Sequence, residues 1–365
     1  MAPSEGIERF IRADLKDFGA YSAHTSPETL EDKSVVPVED IIKIDANENN
    51  YGCSPRVRQA LGQYKDFNIY PDNEQVKLRE VLAGYTGVSV EHIVAGHGSN
   101  QLIDLILRLL INPGEEIINC VPTFDIYRFS TRLCGGVPVR VPRKDDFSIN
   151  INAVKQAIND KTKAVFLANP NNPTGMLTPE RDILELLDTG LPIVVDEAYY
   201  EFCGKTVVPL VNQRQNLMVL RTFSKWTGLA GLRIGYGVFS SLVADFLLRT
   251  KIPYNINVAA LVAVNESFRD MDYLMSRVQA IIAEREHLFT ELGKISWLKP
   301  LPSQANFILC RVLSGEAKDL KQKLQNKGIL VRYFSDPILQ DYIRFSVGKP
   351  KHTVALIKAL GEIGG

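Results

Sequence analysis

The hydrophobic pattern falls into three stretches. Residues 1–40 are polar with scattered apolar anchors (Ile7, Phe10, Ile11, Leu15, Phe18), and predict a short helix followed by an irregular arm. From Ile41 the spacing tightens. Leu78, Val81, Leu82 and Tyr85 recur at i, i+3, i+4 and i+7, the repeat of one helical face, and the pattern stops before Gly87. Short β-rich runs at 92–95, 116–120, 136–141, 164–168, 192–196 and 217–221 then alternate with helical segments. Those helices are expected at 100–111, 124–134, 150–159 and 179–188. Apolar strands without clean alternation are buried on both faces, so the pattern predicts an α/β unit around a mainly parallel sheet.

Past residue 262 the texture changes. Leu274, Val278, Ile281, Arg285, Leu288 and Leu292 trace one long helix that stops at Gly293. An extended run at 305–310, a helix through Leu320 and Leu324 closed by Gly328, strands at 329–332 and 342–347, and a terminal helix follow. This predicts a smaller α+β domain. The expected division is an arm at 1–40 packing with the small domain, a large domain at 41–262, and a small domain at 263–365.

Composition narrows the function classes. Lys+Arg and Asp+Glu number 42 each, so there is no basic excess, and neither nucleic acid nor a membrane is an expected partner. The most apolar helical run, 102–111, is broken by Asp104 and Arg108 and is far shorter than the roughly 20 residues of a span. Cys53, Cys120, Cys134, Cys203 and Cys310 are odd in number and widely spaced, which favours free thiols in a reducing compartment. A soluble, cytoplasmic or organelle-luminal protein is expected. The five histidines are equally scattered, so no metal site is expected.

Four segments carry candidate chemistry. Gly96-His97-Gly98-Ser99-Asn100 lies where a strand passes into a helix; glycine lets backbone approach closely, and the N–H groups of a helix start attract anions. Ser99 and Asn100 would supply further donors there, although a plain turn with an N-cap has the same look. The loop 169–175 (Asn-Pro-Asn-Asn-Pro-Thr-Gly) follows a strand, at the edge where open α/β sheets bind ligands, and Asn172 is its candidate. Asp196 ends an apolar strand, where an acid is expensive to bury unless it meets a cation; Tyr199 lies on the same rim. A helix-capping acid is the alternative. Finally, Lys225 stands among Thr222, Ser224 and Arg233, residue types that bind phosphate. Lysine amines form imines with carbonyls when the neutral amine is favoured. An imine-forming lysine, an acid for a ring nitrogen and a helix-start phosphate cup together describe one ligand, pyridoxal 5′-phosphate.

These segments, in this order, resemble the fold-type I, aspartate-aminotransferase-like family of pyridoxal-phosphate enzymes, across about 40 to 350. Within it the chain is most similar to the histidinol-phosphate aminotransferases, through the 45–52 run (Asp-Ala-Asn-Glu-Asn-Asn-Tyr-Gly), Tyr70-Pro71 and Tyr342-Ile343-Arg344. The resemblance implies a large domain with a mainly parallel sheet plus a smaller α+β domain. It implies transamination between histidinol phosphate and 2-oxoglutarate, with Lys225 covalently holding the cofactor and Asp196 on its ring nitrogen. Asn172 and Tyr199 would bond the phenolic oxygen and Phe124 would stack on the ring. Ser99, Asn100, Thr222, Ser224 and Arg233 would surround the phosphate, and Tyr70 would reach the phosphate in the partner subunit of a homodimer. Arg344 would clamp the substrate carboxylate, with Tyr21 and Arg332 at the substrate's phosphate end. Asn50 stands where the family usually has proline, and Asn100-Gln101 replaces a more frequent acidic pair. Threonine-phosphate decarboxylation or a broad aromatic or aspartate aminotransferase stay open. A nicotinamide dehydrogenase is disfavoured because the glycines of 231–237 miss the G-x-G-x-x-G spacing. A non-catalytic regulator is disfavoured because the arm is too short for a DNA-binding module.

Overall fold

A computed structural model of the chain describes residues 6–16, 18–20 and 37–364. After a two-residue strand β1 (Ile42–Lys43), seven strands build the main sheet: β2 (Ile93–Gly96), β3 (Glu116–Val121), β4 (Val137–Pro142), β5 (Thr162–Ala168), β6 (Ile193–Asp196), β7 (Leu217–Thr222) and β8 (Gly235–Val238). Their spatial order is β2-β8-β7-β6-β5-β3-β4. All neighbours pair in parallel except β8, which runs antiparallel to both β7 and β2.

The helices of this region are α1 (Pro55–Gln63), α2 (Val76–Thr86), α3 (Gly98–Leu110), α4 (Ile126–Leu133), α5 (Ile151–Ala157), α6 (Glu180–Leu187), α7 (Tyr200–Cys203), α8 (Ser241–Thr250) and α9 (Val258–Phe268). Both faces of the sheet are covered, as the unbroken apolar strands required. On β6, Ile193 and Val195 join one buried cluster while Val194 between them joins the other, the period of two expected of a strand. Helix α3 seals the second cluster with Leu102, Ile103 and Ile106.

Helix α10 (Met271–Gly293) then leads to a four-stranded antiparallel sheet. That sheet comprises β9 (Leu298–Pro300), β10 (Phe307–Val312), β12 (Arg332–Tyr333) and β13 (Tyr342–Ser346), in the order β12-β13-β10-β9. The predicted strand at 329–332 is divided. Its first half, β11 (Ile329–Leu330), leaves this sheet to pair in parallel with β1. Helices α11 (Ala317–Asn326) and α12 (Pro350–Gly364) complete the region.

Residues 42–43 pair in parallel with β11, whose edge gives their backbone groups partners. The described part of the arm forms short 3-10 helices (Ile7–Phe10, Ala13–Leu15). It touches α4: Arg12 donates to the Leu133 carbonyl at 3.0 Å, and the Phe18 and Phe129 rings meet at 5.0 Å. Phe18 there finds an apolar ring and the Arg132 guanidinium, at 5.1 Å.

Candidate active site

Register brings the carboxyl ends of three central strands together. Ala168 of β5 pairs with Asp196 of β6, which pairs in turn with Leu220 of β7. The loops leaving these ends, the start of α3, the 46–48 segment and Arg344 of β13 enclose a cavity of about 400 Å³. This is the strand edge at which open α/β sheets place ligands.

One end of the cavity is built to take an anion. Gly98 opens α3 at φ +72°, and a Cβ there would stand 2.8 Å from Nη2 of Arg233, so glycine is what lets the guanidinium lie against the helix start. The N-cap side chain, His97, makes no capping bond, Gln101 Oε1 accepts the His97 N–H at 2.7 Å, and the helix start lies on the cavity at Ser99 and Asn100. Arg233 is aimed by a left-handed backbone (φ +54°) and a bond from Nη1 to the Ala230 carbonyl at 3.1 Å. Thr222 and Ser224 add hydroxyls 3.0 Å apart.

Asp196 lies deeper, 4% exposed. Its Oδ2 accepts from the Tyr127 hydroxyl at 2.9 Å and its Oδ1 from the Ala198 N–H at 3.1 Å. Burial nonetheless pushes the carboxyl up to about 6. Across the cavity the Lys225 amine donates to the Ala46 carbonyl at 3.0 Å, a backbone group and not a carboxylate. Desolvation, and next the Arg344 guanidinium, lower this ammonium to about 8. The neutral amine, which is the nucleophile, is therefore abundant near pH 8, about two units below an ordinary lysine. Labelling of the cofactor-free protein at Lys225 by an aldehyde and borohydride, read by peptide mass, should rise with a midpoint near pH 8. A midpoint near that of the surface lysines would contradict this environment.

On the remaining wall, Arg344 joins the two regions: Nη1 donates to Asn172 Oδ1 at 2.6 Å and Nη2 to the Asp45 carbonyl at 2.6 Å. Asn47, at φ +56°, is stitched to Ser346 and Asn306 and passes its amide to the Tyr199 hydroxyl at 2.9 Å. Phe124 lines the cavity just before α4.

Behind Asp196 the next residue, Glu197, is fully buried and receives two bonds from Arg221, at 3.0 and 2.9 Å. Arg221 lies 3.6 Å from the centre of the Tyr200 ring. Arg221→Leu would leave Glu197 buried without its cation, for an expected loss of about 3–5 kcal/mol in urea unfolding. A loss below about 1 kcal/mol would mean that the pair does not brace the strand ends.

The structure thus gathers Ser99, Asn100, Phe124, Asn172, Asp196, Tyr199, Thr222, Ser224, Lys225, Arg233 and Arg344 around one cavity. Two of the remaining predicted residues lie elsewhere. Tyr70 stacks on Tyr254 at 4.7 Å, is 78% exposed, and lines a separate surface pocket. Arg332 is the register partner of Arg344 on β12, hence on the same face of the small sheet, with Phe334 5.6 Å from it. Tyr21 lies outside the described residues. Sequence reasoning missed Tyr127, although its place three residues after Phe124, at a helix start, marks it as a neighbour. It also passed over Ala46, whose backbone carbonyl leaves no trace in a motif.

The residues present fit pyridoxal 5′-phosphate. The uncapped α3 start and the Arg233 cradle made by Gly98 suit a phosphate, and buried Asp196 and desolvated Lys225 suit a pyridine nitrogen and an aldehyde.

Comparison with known proteins points the same way. The profile of the family described as aminotransferase class I and II matches residues 39–360. A histidinol-phosphate aminotransferase of Dehalococcoides mccartyi is 52% identical over 98% of this chain and 99% of its own length. The chloroplastic enzyme of that name from Nicotiana tabacum is 43% identical over 97% of this chain and 86% of its own length. The crystal structure of histidinol-phosphate aminotransferase from Sinorhizobium meliloti in complex with pyridoxal-5′-phosphate superposes with a TM-score of 0.86 at 27% identity, covering 96% of this chain and 99% of that one. The fold, the cavity at the strand ends and these relatives lead to one conclusion: the chain belongs to the class I and II aminotransferase family.

Proposed function

We propose that the protein uses pyridoxal 5′-phosphate to move the amino group of L-histidinol phosphate to 2-oxoglutarate, a step of histidine biosynthesis, giving imidazole-acetol phosphate and glutamate. The near-full-length relatives named for this activity support the substrate pair. The single structural observation that carries the chemistry is a desolvated lysine amine, bonded to the Ala46 carbonyl and facing a buried aspartate, with an uncapped helix start beside Arg233.

Bound in the cavity, the cofactor supplies an aldehyde carbon and a ring that takes up electron density from the donor's Cα. The protein's own groups do the rest. Ser99, Asn100, Thr222, Ser224, Arg233 and the α3 N–H groups hold the phosphate, and Phe124 covers the ring. Asp196 holds a proton on the ring nitrogen, while Asn172 and Tyr199 hold the phenolic oxygen. Lys225 Nζ takes the Cα proton and returns it on the other side of the transfer, a role for which an amine with a midpoint near 8 is suited. Arg344, held open by Asn172 and the Asp45 carbonyl, receives the anionic end of each substrate: phosphate in one half-reaction, carboxylate in the other. Arg332, on the same sheet face, and Tyr21 are assigned to the phosphate end as part of this proposal.

The proposal includes a cytoplasmic homodimer. Phe67, Ile69, Tyr70, Ile252 and Tyr254 are exposed, with Tyr70 stacked on Tyr254; these apolar side chains suit a second copy, across which Tyr70 would reach the other site. All five cysteines are free thiols, in keeping with a reducing compartment. No described helix is long and apolar enough to cross a membrane.

The deciding experiment offers histidinol phosphate and threonine phosphate side by side to the cofactor-loaded protein. Glutamate formed from 2-oxoglutarate with the first donor alone supports the proposal. Carbon dioxide released from the second would replace it with a decarboxylase.

A further inference from the structure

Asp196 works in this site only as a carboxylate, since a neutral acid cannot keep a proton on a ring nitrogen. Its surroundings oppose that charge. The side chain is nearly sealed from solvent, and Glu197, the next residue, places a second acid behind it. Lys225 is the cation that faces it across the cavity. Only two donors reach its oxygens among the described residues. One is the Ala198 N–H, fixed by the backbone; the other is the hydroxyl of Tyr127.

The position of Tyr127 is closely determined. It lies on α4 three residues after Phe124, with the two rings 5.7 Å apart and at 89° to each other. One helix start therefore carries the cavity's aromatic wall and, beneath it, the donor to Asp196. The Tyr127 ring is wholly buried and packs against Phe166 of β5 at 5.3 Å. Tyr199 and Arg143 are the other ionisable groups that face it. Arg143 is itself buried and held by neutral acceptors, the Cys120 and Phe147 carbonyls and Asn171 Oδ1, at 3.0 to 3.1 Å. The Tyr127 hydroxyl stays protonated, because burial and the Asp196 charge both push its ionisation well above the ordinary tyrosine value. It is thus a permanent donor, aimed at one oxygen.

Resting on the cofactor reading above, we propose that Tyr127 is a positioning residue that keeps Asp196 ionised and fixes its orientation, and so sets the lower pH limit at which the site can work. The hydroxyl acts against burial: its bond lowers the carboxyl's midpoint, which still stands at about 6 with the bond in place. Without the bond, the neutral acid would become a major form at neutral pH.

The test is Tyr127→Phe, which keeps the buried ring and deletes one oxygen. The first readout is the carbon-13 titration of the Asp196 carboxyl in the cofactor-free protein, assigned with Asp196→Asn. The midpoint should move up by about one to two pH units, the usual strength of a bond to a charged group. The second is the cofactor dissociation constant. It should weaken about 3- to 25-fold at pH 6.5 and by much less at pH 9, where the carboxyl is largely ionised in both proteins. A midpoint within a few tenths of the original, or equal weakening at both pH values, would overturn the proposal, since a purely structural role has no reason to follow pH. The titration uses no substrate or cofactor, so it stands if histidinol phosphate proves to be the wrong donor. Failure of the unaltered protein to bind pyridoxal phosphate would instead strike the functional reading itself.

Discussion

Replacing Lys225 by alanine is expected to lower kcat by about 10⁴-fold, the upper range for losing one group that takes and returns a proton. The variant should also lose the covalent bond to its cofactor: borohydride reduction of the loaded protein should no longer leave the cofactor's mass on the chain. The expectation follows from geometry. The amine lies in the cavity wall, tied to the Ala46 carbonyl, with burial and the Arg344 charge both favouring its neutral form. Folding should survive, because the lysine braces no buried ion pair. A variant that keeps even a tenth of the turnover, or whose chain still carries the cofactor's mass after reduction, would remove Lys225 from the chemistry.

The second large effect is expected at Arg344. Its two terminal nitrogens are fixed by Asn172 and by the Asp45 carbonyl, so the planar fork is set before substrate arrives. Each charge-assisted bond to an anion is worth about 1.5–3 kcal/mol, so Arg344→Ala should cost about 10²- to 10⁴-fold in kcat/KM. The loss should appear with histidinol phosphate and with 2-oxoglutarate, because both present an anion to the same fork. Arg344→Lys keeps the charge but not the fork and should recover only part of it. Steady-state kinetics of both half-reactions provide the check, and unchanged KM values for both substrates would assign the anion to another residue. The altered arginine also ties β13 to the 169–175 loop, so unfolding of each variant should be measured alongside.

Much of the main sheet was legible because burial on both faces leaves a direct trace in sequence. The runs at 116–120, 192–196 and 217–221 correspond to β3, β6 and β7 to within a residue. Strand β8 was not legible. Gly235 and Gly237 make Gly-Tyr-Gly-Val a poor strand by composition, and it forms because β2 and β7 offer it partners on both sides. Likewise the 329–332 run reads as one strand, and only the presence of β1 beside Ile329 and Leu330 divides it. In the site, the segments carrying Lys225, Asp196, Asn172 and Arg233 stood out as clusters of unusual residue types. Tyr127 did not, because nothing in an isolated buried tyrosine reveals which carboxylate its hydroxyl meets.

The sequence alone determined the α/β class, the strand-to-loop positions of the reactive residues and the family's cofactor chemistry, because hydrophobic period and local residue type are written along the chain. The tertiary structure decided which groups face one another. Asp196 and Lys225 share a cavity, Arg344 crosses from the small sheet to Asn172, and Tyr127 reaches Asp196, across separations of 29 to 172 residues. Such contacts depend on strand order and register, and these are settled by packing of the whole chain, not by any local segment.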